Sequence, residues 1–327
     1  MMVPWEDRVP KFTYSGDNFS AIFVNTVETT RLTYFLDSLI ANRHYVMFVG
    51  NTGTGKTAMT MNKLRAMDPD KTTYYTINMN SFSDAPTLQI ILEQPLEKKS
   101  GVRFGPPGAR RLVYFIDDMN MPFKDKYDTQ SAIELARQMV DYKGWYDKVK
   151  IVLKEIMNCQ YCACMNPTAG SFNITPRMQR HFVTFAVQMP PADIIRSIYF
   201  QIMDGHLQQG FDNDVLKLSA KLIDATIEMH RTVMNNFMPS AVKFHYQFNL
   251  REMSNIVQGL CRMRKEYFKD APKAIRLWVH ECERVFRDRM INDADMQKFD
   301  DFRVAVSKKW FEQDAGGLAV IEERPII

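Results

Sequence analysis

Short apolar runs alternate with longer amphipathic segments along the first half of the chain. The runs are rich in β-branched and aromatic residues, as buried strands are, whereas the segments between them carry apolar residues at helical spacing. Strands and helices that alternate in this way favour a parallel sheet covered by helices. The pattern predicts strands at residues 45–49, 72–77, 112–116, 156–165 and 182–187, and helices at 26–41, 58–66, 84–98 and 129–142.

The pattern changes at Pro190 and Pro191, beyond which only helical spacing occurs. Proline disfavours the helical conformation in the residue before it, so the pair marks a boundary. Two glycine-containing inserts, 99–111 and 143–148, interrupt the first half and are predicted to be surface loops or hairpins. The helices predicted after the boundary lie at 194–202, 215–234, 249–263, 272–291 and 294–311.

These patterns together predict an α/β domain with a five-stranded, mainly parallel sheet, followed by an all-α domain. The polar start of the chain carries Pro4 and Pro10, so we expect it to be extended rather than part of a core. The expected domains are a leading segment at 1–22, the α/β domain at 23–190, the helical domain at 191–315 and a tail at 316–327.

The first predicted strand runs directly into a phosphate-binding loop motif, G-x-x-x-x-G-K-[ST], which is matched at every specified position. Gly53 and Gly55 lack a Cβ, so the backbone can take positive φ and turn its N–H groups toward a phosphate. Lys56 supplies a positive charge, and the Thr57 hydroxyl is suited to coordinate Mg²⁺. The nucleotide contacts expected from the motif are Gly50, Asn51, Thr52, Gly53, Thr54, Gly55, Lys56, Thr57 and Ala58.

Two carboxylates follow the apolar strand at 112–116. Phosphate-loop enzymes hold Mg²⁺ with a carboxylate at the end of a neighbouring strand, and Asp117 stands at such an end. The adjacent Asp118 is a candidate general base that would polarise the attacking water. An alternative is that Asp118 only caps a turn or a helix.

Asn166 follows the strand predicted at 156–165. Its amide could bind both the γ-phosphate and the attacking water. Because Asn166 precedes Pro167, ordinary turn chemistry is an equally good explanation from this dipeptide alone.

The order of these motifs resembles an AAA+ module of a dynein heavy chain. The resemblance rests on the phosphate loop, on Phe-Ile-Asp-Asp-Met-Asn-Met-Pro at 115–122, on Met-Asn-Pro at 165–167 and on Arg-Met-Gln-Arg-His-Phe at 177–182. It covers roughly residues 20–315 and is strongest with the third module of the axonemal type. The chain is thus similar to a P-loop NTPase of the AAA+ class, in which a helical lid follows the α/β domain.

The resemblance implies a role for each matching residue. Lys56 and Thr57 would form the Walker A pair, Asp117 and Asp118 the Walker B pair, and Asn166 the first sensor. Arg180 would be the arginine finger that acts on the neighbouring module, with Arg177 as the close alternative, and Arg251 the second sensor in the lid. Active relatives are expected to carry Glu at the position of Asp118, so the shorter side chain predicts slow hydrolysis.

Composition excludes some other classes of function. A net charge of +4 over 42 basic and 38 acidic residues shows no block of like charge, so nucleic-acid binding is not expected. The chain lacks an 18-residue apolar run and a signal-peptide core, and we expect an intracellular, reducing location without membrane attachment. Alternation along the strand predicts that Cys162 and Cys164 are buried on one face, with Cys159 on the other.

The resemblance therefore implies a module that binds ATP or ADP with Mg²⁺ and hydrolyses ATP slowly. Expected partners are the neighbouring AAA+ modules and, through the parent protein, dynein intermediate and light chains and microtubules in the cytoskeleton of a cilium or flagellum axoneme. One alternative is a structural ring segment that holds ADP without turnover. Another is an unrelated AAA+ ATPase.

Overall fold

The computed structural model describes residues 3–14, 16, 19–147, 150–167 and 173–316, and contacts divide the chain into two units. The first unit contains Val27–Met189 together with the start of the chain up to Arg8. The second contains Val9–Thr26 and the residues from Pro190 onward. The tail expected at 316–327 lies outside the described residues except for Gly316. The domain boundaries given above stay a prediction.

Nine strands are present in the described part of the first unit. They are β1 (Tyr45–Val49), β2 (Thr72–Asn78), β3 (Glu97–Ser100), β4 (Arg103–Gly105), β5 (Arg111–Asp117), β6 (Gly144–Tyr146), β7 (Leu153–Ile156), β8 (Cys159–Met165) and β9 (Phe182–Ala186).

The α-helices are distributed over both units. They are α1 (Val27–Ala41), α2 (Lys56–Arg65), α3 (Ala85–Glu93), α4 (Ser131–Tyr142), α5 (Pro176–Gln179), α6 (Ala192–Leu207), α7 (Asn213–Leu216), α8 (Ser219–Asn236), α9 (Leu250–Leu260), α10 (Ala271–Val285) and α11 (Asp293–Phe311). No helix within the described ranges is both long enough and apolar enough to cross a bilayer.

The main sheet of the first unit has the order β2-β5-β8-β1-β9 and is parallel throughout, which confirms the predicted five-stranded sheet. Strand β5 is buried on both faces, as its unbroken apolar sequence requires. Tyr114 and Ile116 pack with Ile133 and Ala136 of helix α4 in one hydrophobic core. Parallel pairing brings the carboxyl ends of β1, β5 and β8 to one edge, where the predicted site residues follow.

A second sheet of the first unit has the order β3-β4-β7-β6 and was not predicted as a sheet. Its hairpins are β3-β4, which overlaps the first insert, and β6-β7, of which the second insert supplies only β6. Strand β4 joins the two hairpins by parallel pairing with β7. The helix predicted at 84–98 is therefore too long, because α3 ends at Glu93 and the following residues pair as a strand. The strand predicted at 156–165 is likewise divided, since Asn158 has a φ of 57° and breaks it between β7 and β8.

Buried thiols lie in the centre of the main sheet. Cys162 and Cys164 are fully buried in β8, as predicted, and Cys159 at the start of the strand is partly buried. Burial raises the pKa of the Cys162 thiol to about 12. The thiols therefore remain protonated and serve as small apolar side chains.

The described residues of the second unit form helices and connecting loops but no strand, as the sequence predicts, although the helix expected at 215–234 is divided into α7 and α8. Trp278 lies at the centre of its core, where its indole N–H donates to the Thr226 hydroxyl at 2.8 Å. The segment Val9–Thr26 packs on this unit through Tyr14, whose ring covers Gly205 so closely that a Cβ there would lie 2.7 Å from the Cβ of Tyr14.

Candidate functional site

The phosphate loop connects β1 to α2 in the conformation that the glycines predict. Gly53 and Gly55 have φ values of 83° and 87°, so both occupy the left-handed region that favours glycine. Gly50 is needed for a different reason, because a Cβ there would lie 2.1 Å from the carbonyl oxygen of Val187, the residue after β9. The loop thus requires glycine at residues 53 and 55 for the backbone angle, and at residue 50 because there is no space for a Cβ.

Lys56 is the first residue of α2 and is buried. Its ammonium donates to the carbonyl oxygens of Gly50 at 2.7 Å and Asn51 at 2.8 Å, which belong to the loop itself. These bonds hold the ammonium inside the loop, where an incoming phosphate would compete for the same donors. The Thr54 hydroxyl donates to the Asn51 carbonyl at 3.0 Å and stabilises the same turn.

Thr57 and Asp117 are in direct contact. The Thr57 hydroxyl in the first turn of α2 donates to Asp117 Oδ2 at 2.9 Å, and Asp117 is the last residue of β5. The expectation that this strand lies directly beside β1 is wrong, because β8 lies between them. Burial raises the pKa of the Asp117 carboxyl, an effect that the Thr57 hydrogen bond opposes and the charge of Asp118 reinforces. A hydroxyl and a carboxylate are hard oxygen ligands that suit Mg²⁺, which completes its shell with water and phosphate oxygens. The donor set therefore fits the expected ion.

Asp118 lies at a sharp turn directly after β5. Its φ is 52°, a left-handed conformation that Asp tolerates better than most residues. The next N–H, from Met119, returns to the sheet and donates to the Cys164 carbonyl at 3.1 Å. The Asp118 side chain is exposed and makes no hydrogen bond or ion pair with another described residue, so it does not cap this turn.

Asn166 follows β8 and is buried beside the phosphate loop. Its side-chain amide donates a short hydrogen bond to the hydroxyl of Thr52. Asn166 therefore contacts the loop directly rather than only forming a turn before Pro167. The contact joins the carboxyl end of β8 to the loop after β1, the strand next to it in the sheet.

Arg177 and Arg180 lie at the opposite edge of the main sheet. Both precede β9, whose first residue pairs with the first residue of β1, whereas the phosphate loop follows the last residue of β1. Both side chains are exposed, and an Arg180 guanidinium nitrogen is 3.7 Å from a carboxylate oxygen of Asp141. The structure does not bring these arginines to the phosphate loop of their own chain.

Arg251 belongs to the second unit, where it occupies the first turn of α9 and is exposed. Asn249 caps this helix, and its side chain accepts from the Arg251 N–H at 2.8 Å. In return, the Glu252 carboxylate accepts from the Asn249 N–H at 2.7 Å and from Arg289 at 2.8 Å. The capping box and this ion pair fix the turn that carries Arg251.

Two buried amides beside the site were missed by the sequence reasoning. Asn120 lies inside the recognised 115–122 motif, and its side chain donates to the Asn166 carbonyl at 3.0 Å. Gln130, just before α4, donates to the Pro122 carbonyl at 2.7 Å and to the Asn120 carbonyl at 3.3 Å. For Asn120 the sequence signal was a polar residue between two methionines, directly after the two carboxylates.

Comparison with known families finds two matches. A family model described as the P-loop containing dynein motor region matches residues 13–190, and one described as an AAA+ lid domain matches residues 222–319.

Similar curated proteins carry dynein names. The chain is 73% identical over its whole length to the dynein beta chain of the flagellar outer arm of Chlamydomonas reinhardtii. It is 45% identical over 95% of its length to the ciliary dynein beta chain of Heliocidaris crassispina, and 44% identical over 95% to dynein axonemal heavy chain 17 of Homo sapiens. In each case the chain spans 7% of the length of the relative.

Proposed function

Because this chain belongs to the P-loop dynein motor family of AAA+ proteins, we propose that it binds ATP with Mg²⁺ and hydrolyses it slowly. The observation that carries this proposal is the hydrogen bond of 2.9 Å between Thr57 and Asp117. It places a loop hydroxyl and a strand-end carboxylate side by side, which is the arrangement that a phosphate-loop ATPase needs around its metal.

The proposed roles follow from the contacts of each side chain. Lys56 and the loop N–H groups bind the β- and γ-phosphates, and Thr57 with Asp117 would hold Mg²⁺, which supplies positive charge beside the phosphates when bound. Asn166 orients the attacking water, and Asp118 accepts its proton as the water oxygen bonds to the γ-phosphorus. The bond from that phosphorus to the bridging oxygen breaks, and ADP leaves with the electron pair.

Slow turnover is proposed because the side chain of Asp118 is short. Its carboxylate reaches about 1.5 Å less far than that of Glu, and a misplacement near 1 Å can lower a rate on the order of 10²-fold. Nucleotide would then remain bound for long periods between turnovers. Arg251 would sense the γ-phosphate from the lid, so that the two nucleotide states favour different lid positions.

We propose that the parent protein is an axonemal dynein heavy chain and that this chain is its third AAA+ module. The relatives named above are flagellar, ciliary and axonemal, which supports a place in the cytoskeleton of a cilium or flagellum. Arg180, with Arg177 as the alternative, would act on the nucleotide of a neighbouring module, a role that suits exposed side chains far from their own loop. Intermediate chains, light chains and microtubules would be partners of the whole protein.

A second candidate function is a structural ring segment that holds ADP without turnover. The left-handed conformation of Asp118 favours it, because an aspartate retained for its backbone angle need not act as a base. The two functions differ in one measurable product, inorganic phosphate released from ATP.

The test combines nucleotide binding with phosphate release by the purified chain. The wild-type chain should bind MgATP and release phosphate slowly, and Asp118→Asn should bind equally well but release none. Lys56→Ala should lose nucleotide binding, whereas Lys63→Ala, on the same helix but paired with Asp37 at 2.5 Å, should bind normally. Tight ADP binding with no phosphate release by the wild-type chain would favour the structural segment, and retained binding by Lys56→Ala would contradict both functions.

A further inference from the structure

A continuous series of side-chain amides connects four segments around the candidate site. Gln130 donates to the Asn120 and Pro122 carbonyls, Asn120 donates to the Asn166 carbonyl, and Asn166 donates to the Thr52 hydroxyl. The series begins just before α4, crosses the loop after β5 and the end of β8, and finishes at the phosphate loop. We refer to Gln130, Asn120 and Asn166 as the amide relay.

Burial makes the amide relay rigid. Gln130 is 0% exposed, Asn120 2% and Asn166 5%, so none of these amides can exchange its protein partner for bulk water. A buried polar group that loses its partner costs roughly 1–3 kcal/mol, which keeps each bond formed in the native state. The backbone on either side of Asp118 is held as well, because the Met119 N–H donates to the Cys164 carbonyl.

The amide relay holds the segments that carry Asp118 and Asn166, the two residues proposed to act on the attacking water. Asn120 follows Asp118 by two residues, and its side chain holds the backbone of Asn166 at 3.0 Å. Gln130 holds the same loop at Asn120 and Pro122, which prevents it from moving away from β8. Together with the bond from Met119 to Cys164, Asn120 and Gln130 therefore hold the backbone that carries Asp118 close to that of Asn166.

We infer that Asn120 and Gln130 are positioning residues for ATP hydrolysis, acting through Asp118 and Asn166 rather than on the nucleotide. This inference rests on the proposed ATPase function. Because the rate depends steeply on the geometry of base and water while ground-state binding depends on the phosphate loop, loss of either amide donor lowers kcat and leaves ATP affinity nearly unchanged.

The test uses substitutions that remove a donor without changing volume. Asn120→Leu and Gln130→Met each place an apolar group of similar volume where an N–H₂ group donated. Gln160→Met is the matched control, since Gln160 is 5% exposed in β8 but its Nε2 has no hydrogen-bond partner in the described structure. Asn120→Ala removes the same donor with less bulk, in case Asn120→Leu folds poorly.

Single-turnover phosphate release and calorimetric titration with MgATP give the rate and the affinity separately. We expect the rate to fall about 10- to 100-fold in Asn120→Leu, Asn120→Ala and Gln130→Met, with the dissociation constant for ATP within about threefold of wild type. Gln160→Met should keep the wild-type rate.

Two results would overturn the inference, and they are distinguishable. Wild-type rates in folded Asn120→Leu and Gln130→Met would refute the positioning role alone. A wild-type chain that binds ATP but releases no phosphate would refute the proposed hydrolysis, and the positioning role would fall with it.

Discussion

The Thr57 hydroxyl and the Asp117 carboxylate share a hydrogen bond of 2.9 Å that joins the start of α2 to the end of β5. Both are oxygen ligands of the type that Mg²⁺ prefers, and neither could reach the other if β5 lay at a different place in the sheet. The order of the strands therefore decides whether a metal can bind beside the phosphate loop.

Thr57→Val should remove the dependence of ATP affinity on Mg²⁺. Valine keeps the volume of threonine but lacks the hydroxyl ligand, so adding Mg²⁺ should no longer strengthen ATP binding. Thr60→Val is the control, because Thr60 is buried one turn later in α2 and, among the described residues, its hydroxyl has a single hydrogen-bond partner, the Cys164 thiol at 3.8 Å. Titration with ATP in Mg²⁺ and in EDTA measures the effect, and an unchanged Mg²⁺ dependence in Thr57→Val would remove Thr57 from the metal site.

Asp118→Glu should speed hydrolysis and weaken the fold. The longer side chain restores reach toward the water, for which we expect a rise in phosphate release of about 10- to 100-fold. Glutamate is less tolerant of a φ of 52°, so the free energy of unfolding should fall by about 1 kcal/mol. Phosphate release and chemical denaturation report the two effects, and a rate equal to wild type would show that reach does not limit turnover.

Stability should fall in mildly acidic solution because of two buried histidines in the second unit. Burial lowers the pKa of His206 and His230 below the ordinary value of 6.5, although the carbonyls of Met263 and Asn249 partly oppose this. Since the unfolded chain takes up protons first, their contribution is complete above about pH 6.5 and is lost as the pH falls below it. A comparison of melting temperature from pH 7.5 to 5 should show this loss.

The double variant His206→Gln with His230→Gln keeps the N–H donors but cannot titrate. Its melting temperature should change less between pH 7.5 and 5 than that of the wild-type chain. His44→Gln, at an exposed position before β1, should retain the full wild-type pH dependence. Equal slopes in the double variant and the wild type would mean that other groups cause the loss.

Replacing only one member of the buried ion pair between Arg303 and Glu283 should lower the stability of the fold. The Arg303 and Glu283 side chains are 4% and 5% exposed, and Arg303 Nε lies 3.4 Å from Glu283 Oε1. Arg303→Met leaves a buried carboxylate without this partner and should reduce the free energy of unfolding by about 3–5 kcal/mol. The double variant with Glu283→Met should recover most of this loss. Arg287→Met, which removes a more exposed pair with Asp300, is the milder control.

The central strands β1, β5 and β8 could be predicted because they are mostly buried and therefore mostly apolar. The edge strands β2 and β9 are more exposed and could be predicted because they are rich in β-branched and aromatic residues. The phosphate loop could be predicted because its glycines and Lys56 are constrained by local backbone geometry. The end of α3 could not be predicted, since residues 97–100 carry charged side chains typical of a helix and become a strand only by pairing with β4. The break at Asn158 could not be predicted either, because its left-handed φ follows from its position between β7 of the second sheet and β8 of the main sheet.

In the candidate site, too, local sequence predicts some features, whereas others arise only from the contact of distant segments. Asp117, Asp118 and Asn166 follow apolar strands, a position that local sequence shows. The need for glycine at Gly50 arises from the carbonyl of Val187, which is more than a hundred residues distant in the sequence and adjacent only in the folded sheet. Asn120 was visible within a motif, but its contact with Asn166 after β8 was not, so its role depends on the fold.

The parallel pairing of β4 with β7 has a consequence for how this chain can be shortened. Residues 97–105 supply β3 and β4, and residues 144–156 supply β6 and β7. The pairs Arg103 with Glu155 and Phe104 with Ile156 join these two halves of the second sheet. Removing either half would leave the other with an exposed edge able to pair with foreign strands. These two segments of the chain therefore depend on each other for a closed sheet. A shortened version of this protein must delete both of them or neither.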